Sequence, residues 1–142
     1  VCVILLADLY AAALVFSMVA LIDVNLLGFL YFSGFDYNPV TLVQIVVSIG
    51  LSIDYTLHVA HSFLTATGVS REERARQALA HVGRSVFNGG ASTFVVVLPL
   101  ALSEAYVYRV FFACFALTIT FGLFHGLVVL PVVLSFVGPP GY

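Results

Sequence analysis

The chain has 142 residues, of which 62% are hydrophobic and only 8% charged, and its mean hydropathy is +1.14. A soluble globular domain carries about 25% charged residues, so this composition excludes one and points to an all-α integral membrane protein. The net charge of −2, with no Lys and no basic patch interleaved with aromatics, gives no grounds for a nucleic-acid partner. Cys2 and Cys114 lie far apart in apolar runs and form neither a disulfide framework nor a metal cluster.

Residues Val1 to Ala7 read as the tail of an earlier span, and the absence of an initiator Met or basic leader makes the chain read as part of a longer protein. Four complete apolar spans follow, each near the roughly 20 residues that a bilayer requires. They run from about Leu9 to Phe32, Val40 to Leu64, Val86 to Leu102 and Val107 to Phe136. None alternates with period two, which argues against a membrane barrel. The organisation is therefore four spans plus the end of a fifth. Residues 1–7 end the preceding span, and 8–64 hold the first two complete spans and a short outer turn. A linker at 65–85 carries an amphipathic helix, and 86–142 hold the third and fourth spans and a short end.

The first span carries Asp23 beside Asn25, in its outer part. Asp23 reads equally as a carboxylate hydrogen-bonded near the headgroup boundary and as a secondary polar site in transport. The turn after it, Ser33–Asn38, contains Gly34 and Asp36 and leads into Pro39, which suits a tight connection at a polar surface.

The second span, VTLVQIVVSIGLSIDYTLHVAHSFL, holds one formally charged side chain, Asp54. A carboxylate at mid-bilayer costs on the order of 3 kcal/mol on insertion scales. His58 and His61 follow at helical spacing and share a face with it. Gly50, one turn earlier, leaves room for another helix to approach, and Ser48, Ser52 and Thr56 add hydroxyls to the same helix. This stripe suggests ion or proton handling. Two structural alternatives stand beside it: Asp54 ties helices together through hydrogen bonds, and His61 is an interfacial residue. Asp-x3-His-x2-His is also a spacing at which one helix offers metal ligands, but the only further intramembrane candidate is His125.

In the long linker, Ser70 with Glu73 three residues later forms a capping-box signature, and Gly68 and Gly83 punctuate the two ends of the helix. Val69, Ala75, Leu79 and Val82 give it a weak apolar stripe, suited to lying along a membrane surface. Four Arg occupy this linker, against none in the Ser33–Asn38 turn, so the linker and the C-terminal end belong in the cytoplasm. In the third span Asn88, Gly89, Gly90, Ser92 and Thr93 make a small polar patch, and Pro99 is placed to kink the far end. The fourth span pairs Gly122 with Gly126, beside His125 and before Pro131. Gly89, Gly90, Gly122 and Gly126 read as helix-packing positions. No phosphate-binding Gly loop, soluble catalytic triad or zincin motif occurs.

Three blocks together carry a resemblance. VNLLGFLYFSGFDYNPVTLVQIVVSIGLSIDYTLHVAHSFL, REERARQALAHVGRSVFNGGASTF and YRVFFACFALTITFGLFHGLVVLPVVLSFVGP resemble the C-terminal membrane part of the Patched, Dispatched and Niemann–Pick type C group, within the resistance–nodulation–division superfamily. The resemblance implies a fold of two pseudo-symmetric six-span sets, each interrupted by a large extracytoplasmic domain. This chain would supply the last four spans of the second set. It implies movement of sterols, other lipids or lipid-modified proteins, driven in many members by a proton or alkali-cation gradient, and no cofactor beyond the coupling ion or a bound sterol. The partners it implies are membrane lipid or sterol, the other transmembrane half and the extracytoplasmic domains. Gly50 and Asp54 match the Gly-x-x-x-acid motif of the second half, with Asp where several members have Glu, and His58 matches a His often found one turn later. The alternatives are a receptor or structural subunit that keeps the fold without pumping, and an intramembrane metalloenzyme using Asp54, His58 and His61.

Overall fold

A computed structural model describes residues 9–68 and 70–139. The expected end of a preceding span at 1–7 and the stripe position Val69 lie outside these residues. Among the described residues four helices are long and apolar enough to cross a bilayer: Leu9–Phe32, Pro39–Thr65, Arg71–Leu102 and Tyr106–Val137. No strand occurs among the described residues.

Helix α1 (Leu9–Phe32) buries Ala11, Val15, Met18, Val19, Ile22, Leu26 and Leu30 along one stripe at three- and four-residue spacing. Its end is set by Gly34, whose φ of +73° only glycine adopts without cost. The Phe35 amide then reaches back to the Leu30 carbonyl and the Gly34 amide to Tyr31, the paired bonds of a Schellman cap. The reversal into helix α2 (Pro39–Thr65) is completed by Asn38, whose Oδ1 accepts from the amides of Val40 and Thr41 at 3.0 and 3.1 Å. Pro39 occupies the first helical position, where no donor is needed.

Helix α2 touches every other span. Its first half has reversed polarity relative to a soluble helix: Thr41, Gln44, Ser48 and Ser52 are buried, while Leu42, Val43, Val46 and Val47 are exposed. Lipid solvates the aliphatic side chains, whereas hydroxyls and amides find partners only inside a bundle.

Helix α3 (Arg71–Val97) departs from expectation. Ser70 caps it as the capping-box signature predicts, its Oγ accepting from the Glu73 amide at 3.1 Å. However, Gly83 does not end a separate surface helix. The helix runs unbroken through Gly83 and Val86 into the third span. A lone glycine costs about 1 kcal/mol in a helix interior, too little to break one without a proline or a competing cap. Only at Leu98–Leu102, around Pro99, does the winding tighten to a 3-10 turn.

The last span comprises α4 (Tyr106–Phe124), one π-helical turn at His125–Val129, and α5 (Leu130–Val137). The wide turn precedes Pro131, which has no amide to donate and whose ring crowds the preceding turn, so the helix widens by one residue there. At 32 residues the span is about 48 Å long, well above the roughly 30 Å hydrocarbon thickness. A tilt or an interfacial portion therefore follows.

The end of this span is fastened to α3. Arg74 is only 5% exposed; its Nη2 donates to the Pro139 carbonyl at 2.8 Å and its guanidinium lies 4.4 Å from the Phe63 ring centroid. Arg71 Nη1 donates to the Phe136 carbonyl at 3.3 Å. Cationic donors suit the free carbonyls and negative dipole end of a helix terminus. Arg74→Ala is expected to destabilise the full-length protein by about 2 kcal/mol, from the lost charged hydrogen bond and cation–π contact. Thermal unfolding in detergent, compared with wild type, checks this.

Candidate functional site

Four of the residues singled out by sequence occupy one face of α2. Gly50, Asp54, His58 and His61 are all exposed, on the outside of the bundle. The three hydroxyls on the same helix point the opposite way, inward. Ser48 Oγ donates to the Gln44 carbonyl at 2.9 Å and lies 2.8 Å from Thr118 Oγ1 of α4. Thr118 also reaches the Cys114 carbonyl at 2.7 Å. Thr56 Oγ1 donates to the Ser52 carbonyl at 3.0 Å. Ser52 Oγ is buried without a partner. Of the inward hydroxyls, Ser48 ties α2 to α4, and the charged stripe takes no part in this contact.

An exposed Asp54 is the informative result. Inside the bundle a carboxylate would be a cross-link; on the outside, at membrane depth, it meets either hydrocarbon or another protein unit. Hydrocarbon is the costly option, since charges at the bilayer centre are rare and almost always face protein or a water-filled cavity. Gly50 points the same way, because nothing lies within 4 Å of the position of a Cβ there. The room that Gly50 leaves is not taken by any described helix.

The glycines of the last span have a specific partner. A Cβ on Gly122 would sit 2.5 Å from Cδ2 of Tyr55, and one on Gly126 would sit 3.0 Å from the Tyr55 backbone oxygen. Tyr55, 8% exposed, is therefore a wedge seated on two glycines, and it is the residue next to Asp54. Sequence reasoning missed it: the Gly-x-x-x-Gly pair announces a close contact but not what makes it. Gly90 behaves similarly, with Leu123 side-chain atoms 2.8 Å from its Cβ position, whereas Gly89 faces open space.

Other candidates stand apart from the stripe. Asp23 lies on α1, half-buried, with Oδ1 buried and without a hydrogen-bond partner. His125 is buried in the π-turn; its Nδ1 is 2.8 Å from the Phe121 carbonyl and so carries the proton, and Phe124 stands edge-on to its ring at 5.4 Å. Among the described residues no three His, Cys, Asp or Glu side chains are grouped to hold a metal ion. An apolar cleft of about 340 Å³ lies between α1 and α2, lined by Ala12, Val15, Phe16, Val19, Ile49 and Ile53. Ile53 adjoins Asp54.

No family model matches the chain. Individual relatives do. A Niemann-Pick type C1-related protein of Toxoplasma gondii is 38% identical over 95% of this chain and 12% of its own length. NPC intracellular cholesterol transporter 1 of Sus scrofa is 37% identical over 93% of the chain and 10% of its own. Protein patched homolog 2 of Homo sapiens is 40% identical over 96% of the chain and 11% of its own. The chain belongs to the Patched and Niemann–Pick type C group. It spans only about a tenth of the length of these relatives. With four spanning helices and this membership, it is an integral, multi-pass membrane protein of the Patched and Niemann–Pick type C group.

Proposed function

We propose that the chain is the C-terminal membrane segment of a Patched-like lipid or sterol transporter driven by a proton or alkali-cation gradient, with Asp54 binding the coupling ion. The observation that carries this reading is the outward-facing stripe of Gly50, Asp54 and His58. A carboxylate on the lipid-level surface of a bundle is tolerable only when covered, and the cover is the other transmembrane half of the same protein. Asp54 is then half of a two-sided site at the seam between halves. Gly50 lets the facing helix approach, and His58 orients or tunes the carboxylate. His61 and Asp23 are secondary polar positions.

The apolar cleft bordered by Ile49 and Ile53 supports a lipid or sterol as the cargo, since it offers apolar surface one residue away from the ion site. One relative is itself named for cholesterol transport. The four Arg between Arg71 and Arg84 support a cytoplasmic location for that end and for the end of α5.

The test is reconstitution of the full-length protein in liposomes holding a fluorescent sterol, with an imposed cation gradient. Sterol transfer is expected to accelerate with the gradient and to return to its basal rate when an ionophore dissipates it. A rate indifferent to the gradient would remove the coupling.

A further inference from the structure

The stripe on α2 does not stop at His61. Thr65 continues it, one turn on, and His58, His61 and Thr65 lead to the end of the helix. There the stripe opens into a cleft of about 570 Å³ with a mixed polar and apolar lining, between the end of α2 and the start of α3. Ser62, Thr65 and Thr67 line it from one side, Gln77 and His81 from the other. The cleft thus adds a third imidazole, from a different helix, to the line of titratable groups that begins at Asp54. We infer that this cleft is the aqueous port through which Asp54 exchanges protons with the medium, and that His81 is its relay residue. The inference rests on the proposed function and specifies the coupling ion as a proton.

Chemistry selects the proton over an alkali cation. Alkali cations are held by hard oxygen ligands such as carbonyl and carboxylate groups, whereas the side chains between Asp54 and the cleft mouth are imidazoles, which accept and release protons. Thr65 Oγ1 donates to the His61 carbonyl at 3.0 Å, which leaves its lone pairs to accept from water in the cleft. From Asp54 to Thr65 the helix rises about 16 Å, which places the cleft mouth about half a hydrocarbon thickness from the carboxylate.

The transfer balances simply. A proton from bulk water binds one ring nitrogen of His81 while the other ring nitrogen releases its own to water in the cleft. His61 and His58 repeat the exchange, and the proton ends on a carboxylate oxygen of Asp54. Each imidazole is neutral again after the step. The groups around His81 are limited. On α3, Arg84 lies one turn on, with Arg76 and Glu73 one to two turns back, while Arg71 and Arg74 turn away to the last helix. Helix α2 contributes His58 and His61. Among the described residues at this end, α1 has Tyr10, and α5 has no titratable side chain.

The test uses the full-length protein in liposomes, reading sterol transfer and internal pH together. His81→Ala is expected to slow proton-driven transfer about tenfold, below the roughly hundredfold of a group acting directly on a reacting atom. It should also flatten the pH dependence of driven transfer, and added imidazole should restore the rate. His81→Gln keeps a hydrogen-bonding side chain without a titratable ring and should show the same loss, which separates relay from folding. Independently of transport, Thr65→Cys should react with a charged, water-soluble thiol reagent, read by mass spectrometry at that position. If Asp54→Asn stops driven transfer while both His81 variants keep the wild-type rate and pH profile, the port is overturned and the site at Asp54 stands. A Thr65→Cys that stays unreactive overturns the port as well. If Asp54→Asn itself changes nothing, the function reading fails and this inference falls with it.

Discussion

Asp54→Asn in the full-length protein is expected to reduce gradient-driven lipid transfer to the undriven rate, while Asp54→Glu retains most of it. The asparagine keeps the size and one acceptor oxygen of the side chain and removes its capacity to carry or release charge. A driven carrier alternates between two arrangements, and an ion biases them only by its differential binding to each. With no anionic ligand that bias vanishes. A membrane potential of 100 mV is worth about 2.3 kcal/mol per elementary charge, which corresponds to about a 50-fold ratio. The driven-to-undriven difference should therefore collapse by up to that factor, with the basal rate intact. Glutamate, which stands at the matching position in several members of the family that the sequence resembles, keeps the charge on a side chain one methylene longer. Sterol transfer into liposomes, with and without the gradient, measures both variants.

The second large effect is structural. Gly122→Leu is expected to destabilise the bundle by about 3 kcal/mol, at the upper end of overpacking costs. Even the first added carbon would sit 2.5 Å from the Tyr55 ring. The ring is buried, and Gly126 closes on the backbone of the same residue, so it has no free direction in which to retreat. Thermal unfolding in detergent should show a lowered Tm for Gly122→Leu and a smaller loss for Gly122→Ala. Pairing Gly122→Leu with Tyr55→Ala should recover part of the loss, because the two side chains compete for one space and their effects are not additive. Equal losses for the single and double variants would mean that Tyr55 is not what the glycine accommodates. Since Tyr55 adjoins Asp54, the same variant should also slow driven transfer.

Much of this architecture was legible before any coordinates, because membrane spans announce themselves by length and polarity. The boundaries of α1 and α2 follow from Gly34, Asn38 and Pro39, whose backbone chemistry is local. The Asp54 stripe was legible for the same reason: helical spacing alone puts Gly50, Asp54, His58 and His61 on one face. Which way that face points was not, since only packing decides whether a polar stripe faces inward or outward. The inward direction went to the hydroxyls of Ser48, Ser52 and Thr56, which the sequence places on the same helix without fixing their face. The continuity of α3 was misjudged at Gly83, where a punctuation residue turned out to be tolerated inside a helix packed against its neighbours. Tyr55 and Arg74 escaped notice because each acts through a partner far away in sequence, Gly122 and Gly126 for one and Pro139 for the other.

The face of α2 that carries Asp54 should be covered by protein, and accessibility at position 50 tests this most directly. A nitroxide attached at Gly50→Cys in the full-length, membrane-reconstituted protein reports collisions with oxygen dissolved in the lipid. A second label at Val96→Cys, on an apolar side chain that is 76% exposed on α3, gives the lipid-facing reference. Oxygen is expected to relax the label at position 50 far less than the one at 96. Equal relaxation at both positions would place Asp54 against lipid and contradict a protein cover over this face.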